Sequence, residues 1–154
     1  VYGAAMVEVS LDTLRGTYAI ERASVVHDVG RSLDSAVDLG QIEGALAQGL
    51  GWSLLEELRF GEDGRPLSDT LSTYKLPDAH FLPKRLEVEF LPDADNPKAV
   101  LNSKAVGEPP LIYGMAGYFA LLDALRAARK DGPTFYDLPF TPEKALDYLQ
   151  GARP

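Results

Sequence analysis

The sequence predicts an α+β domain, a small antiparallel or mixed sheet packed by a glycine-rich helix and a long amphipathic helix. Three observations lead there. Two strand-like runs near the start are separated by a turn, and a third run, residues 85–91, alternates Leu86, Val88 and Phe90 with Arg85, Glu87 and Glu89. Residues 34–58 place Ile42, Ala45, Leu46, Gly49, Leu50 and Leu54 at spacings of three and four, the period of a helix. Residues 111–129 show a wider apolar face and end in Arg126, Arg129 and Lys130, where cations suit a helix C-terminus.

The elements follow in order. Met6–Leu11 alternates and reads as a half-buried strand. Residues 12–16 form a turn, and residues 17–28 carry Tyr18, Ile20, Ala23, Val25 and Val26 as a second strand, giving an antiparallel hairpin. Asp28-Val29-Gly30 breaks that pattern. His27, with no carboxylate or nucleophile beside it in sequence, reads as a pairing or surface histidine. The helix over 34–58 contains Gly44, Gly49 and Gly51, each costing roughly 1 kcal/mol against alanine. Such glycines imply either tight helix packing or the close approach of a ligand or another backbone. Residues 59–83 are turn and loop, with Pro77 and Pro83 excluding regular structure. After the strand at 85–91 come a polar loop and a brief strand at Ala99-Val100-Leu101. Gly132-Pro133 stops the long helix, and Thr141-Pro142-Glu143 opens a last short helix through Leu149, with threonine as cap and proline in the first turn.

Composition narrows the function. The 154 residues form a single domain or domain fragment, and an apolar share of 45% argues against disorder. With 15 basic against 23 acidic residues the net charge is -8, which disfavours nucleic acid and anionic membranes as partners. The chain contains no cysteine, so it carries no disulfide, thiolate metal site or iron–sulfur cluster. His27 and His80 lie far apart without a ligand motif. The longest apolar run, around Tyr118–Leu122, is too short to cross a bilayer, no secretory leader opens the chain, and a cytoplasmic location is expected. Val1–Ala5 reads as the interior of a strand, as in a piece of a larger protein.

One stretch is a candidate for chemistry. Glu108 follows Gly107 and precedes Pro109-Pro110. Proline suits the first turn of a helix, so Glu108 is expected at a helix mouth on stiff backbone. A helix N-terminus favours the ionised carboxylate that a general base must be. Acidic residues also begin many helices with no catalytic part, and the local residues leave both readings open.

Lys104-Ala105-Val106-Gly107-Glu108-Pro109-Pro110-Leu111 resembles the signature near the end of the molybdenum-binding large subunit of xanthine dehydrogenases. Further blocks resemble that subunit in the same order: Tyr2–Ala5, Asp28–Gly30, Asp38–Ala45, Gln48–Gly51, Glu56–Leu58 and Ser72–Pro77. Together they span most of the chain up to about Arg129. The final segment is similar only in Thr141-Pro142-Glu143-Lys144.

The resemblance implies the C-terminal part of a molybdopterin-binding domain of xanthine dehydrogenase/aldehyde oxidase type. Such enzymes hydroxylate an sp² carbon next to nitrogen, or an aldehyde carbon, with water as the oxygen source. Hypoxanthine and xanthine are the implied substrates. An aldehyde or another N-heterocycle is the runner-up, and a non-catalytic assembly module is a rival of another class. The intact Gly107-Glu108 pair speaks against an inert relic. By motif position Glu108 corresponds to the base beside molybdenum, with no direct metal ligand from this chain. Gly107 lies next to the metal, and Gln41 corresponds to a glutamine that hydrogen-bonds the pterin. Lys104, Ala105 and Val106 flank the site and are candidates for backbone contacts. The helix glycines would then admit the cofactor or a neighbouring domain. The implied cofactor is molybdopterin with molybdenum. The implied partners are the upstream part of the large subunit and modules carrying 2Fe-2S clusters and FAD, with NAD as acceptor. None of these is carried by this chain, which alone is expected to be inactive.

Overall fold

The computed structural model describes residues 1–132 and 136–152. Its sheet has three strands in the order β1-β2-β3: β1 (Gly3–Leu11), β2 (Tyr18–His27) and β3 (Arg85–Phe90). β1 and β2 form the expected hairpin, and β3 runs parallel to β2, which makes the sheet mixed. Parallel neighbours need a long crossover. Here the crossover contains helix α1 (Ser35–Leu54), so β2, α1 and β3 form one β-α-β unit.

The hairpin register slips between Glu8 and Val9, where Arg22 and Ile20 oppose successive residues of β1 and Glu21 is left over. This bulge lets Ile20 and Ala23 both face inward although they are three apart. Ala23, Val25 and His27 then alternate on the buried face. α1 covers that face on the β3 side, and α2 (Met115–Ala128) covers it on the β1 side. The core between them holds Ile42, Leu46, Leu50 and Leu54 from α1 with Tyr118, Leu121, Leu122 and Leu125 from α2. Helix α3 (Pro142–Gln150) closes one end with Ala145 and Tyr148.

Both termini of α1 have physical causes. Asp34 caps it by accepting from the N–H groups of Ala36 and Val37. It ends at Leu54, four residues before the expected end. The N–H groups of Leu55 and Glu56 both turn back onto the Gly51 carbonyl, and Leu55 leaves helical geometry. Thr141 and Pro142 cap and open α3 as expected.

Two segments differ from expectation. Ala99-Val100-Leu101 is not a strand: Val100–Asn102 is a short 3-10 turn in which Leu101 and Asn102 adopt positive φ. Left-handed backbone at consecutive residues cannot extend a ladder. The long helix also begins differently, with Pro109–Gly114 forming a 3-10 turn before α2. The prolines supply no N–H there, and the first bond is the tight one from Leu111 N–H to the Glu108 carbonyl, 3.1 Å. Taken together, Pro109–Ala128 is 20 residues long and apolar enough, by length and composition only, to cross a membrane. That exceeds the Tyr118–Leu122 run read from sequence. In the fold, Gly117, Tyr118, Leu121, Leu122 and Leu125 of this segment pack inward. Pro133, expected to stop the helix, lies outside the described residues; α2 ends at Ala128.

Candidate functional site

The loop before Glu108 is laid along the end of β2. Asn102 accepts from the Arg31 N–H at 2.9 Å, Ser103 bridges Gly30, and the Lys104 N–H donates to the Val29 carbonyl at 2.9 Å. Gly30 makes the approach possible. Its φ is +60°, and a Cβ there would lie 2.3 Å from the Asn102 carbonyl oxygen. Side chains lock the same join. Lys104 Nζ meets Asp28 Oδ2 at 2.5 Å, and His27 Nε2 lies 3.1 Å from the Ala105 carbonyl oxygen. Val106 packs against the core, whereas Ala105, Gly107 and Glu108 are exposed. The Lys104 N–H and the Ala105 carbonyl therefore face β2 and not the open side.

Glu108 stands at the mouth of the 3-10 turn, with Pro109 in its first position. Its side chain makes no capping bond. Among the described residues its carboxylate has no hydrogen-bond or ionic partner.

Gln41 reaches the same place from α1. A Cβ on Gly107 would find a single side chain within 4 Å, the Gln41 amide oxygen at 3.3 Å. The fold thus brings Gln41, Gly107 and Glu108 to one exposed corner, although Gln41 belongs to the crossover and Gly107 follows β3. The Gln41 amide has no hydrogen-bond partner among the described residues. An unengaged amide, a position without a side chain and a free carboxylate suit a polar cofactor laid across the corner. They fit one wall of such a site.

The helix glycines divide. Gly49 is pressed against the 3-10 turn: a Cβ there would lie 2.0 Å from the Leu111 carbonyl oxygen, and one on Gly114 would lie 2.0 Å from the Gly49 carbonyl carbon. Gly51 is closed by Glu56 and Pro77. Both serve packing within this chain, contrary to the expectation that a cofactor or another domain passes there. Gly44 differs, since a Cβ there would meet nothing within 4 Å.

The match with known proteins decides the family. Residues 1–83 match the family described as molybdopterin cofactor-binding domain. The chain belongs to that family. The matched stretch contains Gln41 and ends before Glu108. Xanthine dehydrogenase of Oryza sativa subsp. japonica is 42% identical over 154 residues, an alignment covering 93% of this chain and 11% of that relative. Probable aldehyde oxidase 2 of the same organism is 46% identical over 130 residues, covering 84% of this chain and 10% of that protein. Among solved structures, quinoline 2-oxidoreductase from Pseudomonas putida 86 superposes with a TM-score of 0.84 at 27% identity, covering 95% of this chain and 18% of that one. The chain thus spans about a tenth of the length of the curated relatives it matches. The curated proteins it resembles include both xanthine dehydrogenases and aldehyde oxidases.

Nothing in local sequence joins Asp28 to Lys104, which are 76 residues apart, or His27 to Ala105 and Tyr113. The motif blocks containing Asp28, Lys104 and Ala105 are legible separately, and His27 and Tyr113 lie outside them. Their pairing needs the fold.

Proposed function

We propose that this chain forms one wall of the active site of a molybdenum hydroxylase acting on purines such as hypoxanthine and xanthine, with Glu108 as the general base. The observation that carries this reading is the corner itself, where the Gln41 amide, the bare backbone of Gly107 and the unpartnered Glu108 carboxylate converge on stiff backbone. The bound molybdenum cofactor would supply the two-electron redox chemistry. Glu108 accepts the proton released as water-derived oxygen is activated. The Gln41 amide holds a polar edge of the pterin, and Gly107 leaves room for the metal centre. The rest of the site, the iron–sulfur clusters, FAD and the NAD acceptor belong to the upstream part of the large subunit and to other modules of a cytoplasmic assembly. Residues 1–154 are, on this reading, the C-terminal part of the molybdopterin-binding domain. α1 leaves Val37 and Trp52 about half exposed, apolar surface suited to meeting that upstream part.

Similarity to a probable aldehyde oxidase supports a second reading, in which the substrate is an aldehyde or another N-heterocycle. The deciding experiment is Glu108→Gln in the assembled enzyme, with molybdenum content measured beside turnover of xanthine, hypoxanthine and an aldehyde. Losing a general base lowers turnover by about 10²–10⁴-fold. Metal content near wild type with turnover lost supports the base. Substantial turnover by the variant would exclude it, and an assembled, metal-loaded wild type without turnover would favour the non-catalytic module.

A further inference from the structure

His27 lies at the inward-facing end of β2 with no exposed surface. Each of its ring nitrogens meets a group on the segment that carries Glu108. Nε2 is 3.1 Å from the Ala105 carbonyl oxygen, and Nδ1 is 2.6 Å from the Tyr113 hydroxyl. A carbonyl only accepts, so Nε2 bears the hydrogen, and in the neutral ring Nδ1 accepts from the phenol. Burial, and after it the negative charge of Asp28, push the Tyr113 phenol above its ordinary value, which keeps its proton available to donate. The two rings also meet edge to face, with centroids 5.7 Å apart. β1 backs the phenol closely: a Cβ on Gly3 would lie 1.8 Å from the Tyr113 oxygen.

Ala105 precedes Glu108 and Tyr113 follows it, so one buried ring grips both ends of the segment that bears the carboxylate. Glu108 has no side-chain partner of its own among the described residues. Its position is therefore set through backbone, and the backbone is held from beneath.

We propose that His27 is a positioning residue for Glu108, acting through the Ala105 carbonyl and the Tyr113 hydroxyl to fix the segment 105–113 against the Gln41 corner. This inference rests on the reading of Glu108 as the base. A histidine that only filled space would influence stability and leave the geometry of the segment alone.

The test uses the assembled, molybdenum-loaded enzyme with xanthine and benzaldehyde as probes. His27→Leu, His27→Gln and Tyr113→Phe are made alone and combined with Glu108→Gln. Turnover, KM, molybdenum content and amide hydrogen exchange are measured for each. With Glu108 intact, His27→Leu and Tyr113→Phe are expected to lower kcat by about tenfold or more, as misplacement of a reacting group does, with KM and metal content little changed. Amides of residues 104–111 should exchange faster while those of Leu121–Leu125 do not. His27→Gln keeps a donor for Ala105 and should retain more turnover than His27→Leu. With Glu108 already replaced, the same substitutions should cost no further turnover. An equal loss in both backgrounds, or unchanged exchange in 104–111, would overturn the positioning role and leave the base standing. Turnover by Glu108→Gln alone would instead overturn the base. Should His27→Leu fail to accumulate, Tyr113→Phe decides, since it removes one oxygen from a part-exposed side chain.

Discussion

Asp28 and Lys104 meet at 2.5 Å where the site loop lies along the end of β2, with side chains 3% and 16% exposed. Burial is the largest influence on the Asp28 carboxyl and works to raise it. The Lys104 hydrogen bond, the Gly30 N–H and the Lys104 charge together outweigh burial and hold the group below the ordinary carboxylate range.

Breaking this pair from one side leaves a charge buried without its partner. Lys104→Met is expected to destabilise by about 3–5 kcal/mol, toward the lower end because the Gly30 N–H still serves Asp28. Adding Asp28→Asn should recover much of the loss. Urea unfolding of the two variants checks both statements.

The same pair has a pH signature. A carboxyl depressed in the folded state stabilises above its unfolded value of about 3.9, and that contribution disappears as pH falls through the folded value. The stability gap between wild type and Asp28→Asn should therefore be full at neutral pH and close below about pH 4. Unfolding measured across that range would show a flat gap if the pair contributed nothing.

Gly44 and Gly49 should respond oppositely to alanine. At Gly44 nothing stands within 4 Å, and the substitution gains up to about 1 kcal/mol of helix propensity. At Gly49 the new Cβ meets backbone at 2.0 Å, and overpacking of about 1–3 kcal/mol or more outweighs that gain. Gly49→Ala should also displace the 3-10 turn Pro109–Gly114 that follows Glu108. Thermal unfolding separates the two variants by sign.

Gly107→Ala tests the corner directly. Its Cβ would stand 3.3 Å from the Gln41 amide oxygen, and a flexible side chain can yield that distance. Folding should be unaffected, while the amide is pushed from its place and molybdenum content falls. Gln41→Ala should lower metal content as well. Metal content unchanged in both variants would remove Gln41 from the cofactor site.

Much of the fold is written in short-range patterns. Asp34 and Thr141 announce their helices, and the alternation over Arg85–Phe90 leaves little choice about β3. What alternation does not encode is the neighbour of a strand, so the parallel pairing of β2 with β3 was not legible. Val100-Leu101 looks like strand because its side chains are apolar, yet Val100 and Leu101 stay exposed and the backbone turns left-handed. For the site, Glu108, Gly107 and Gln41 were visible through their motifs. Their supports were not, because His27, Asp28 and Tyr113 act on residues far along the chain.

The crossover between β2 and β3 also orders events in time. Gln41 belongs to the crossover and Gly107 follows β3, so the corner does not exist in any early hairpin. Parallel pairing across a long connection is among the slower contacts a chain makes. The corner is complete only when α1 from the crossover meets the turn at Pro109–Gly114 beyond β3, so this wall is a product of long-range folding and not of any local segment.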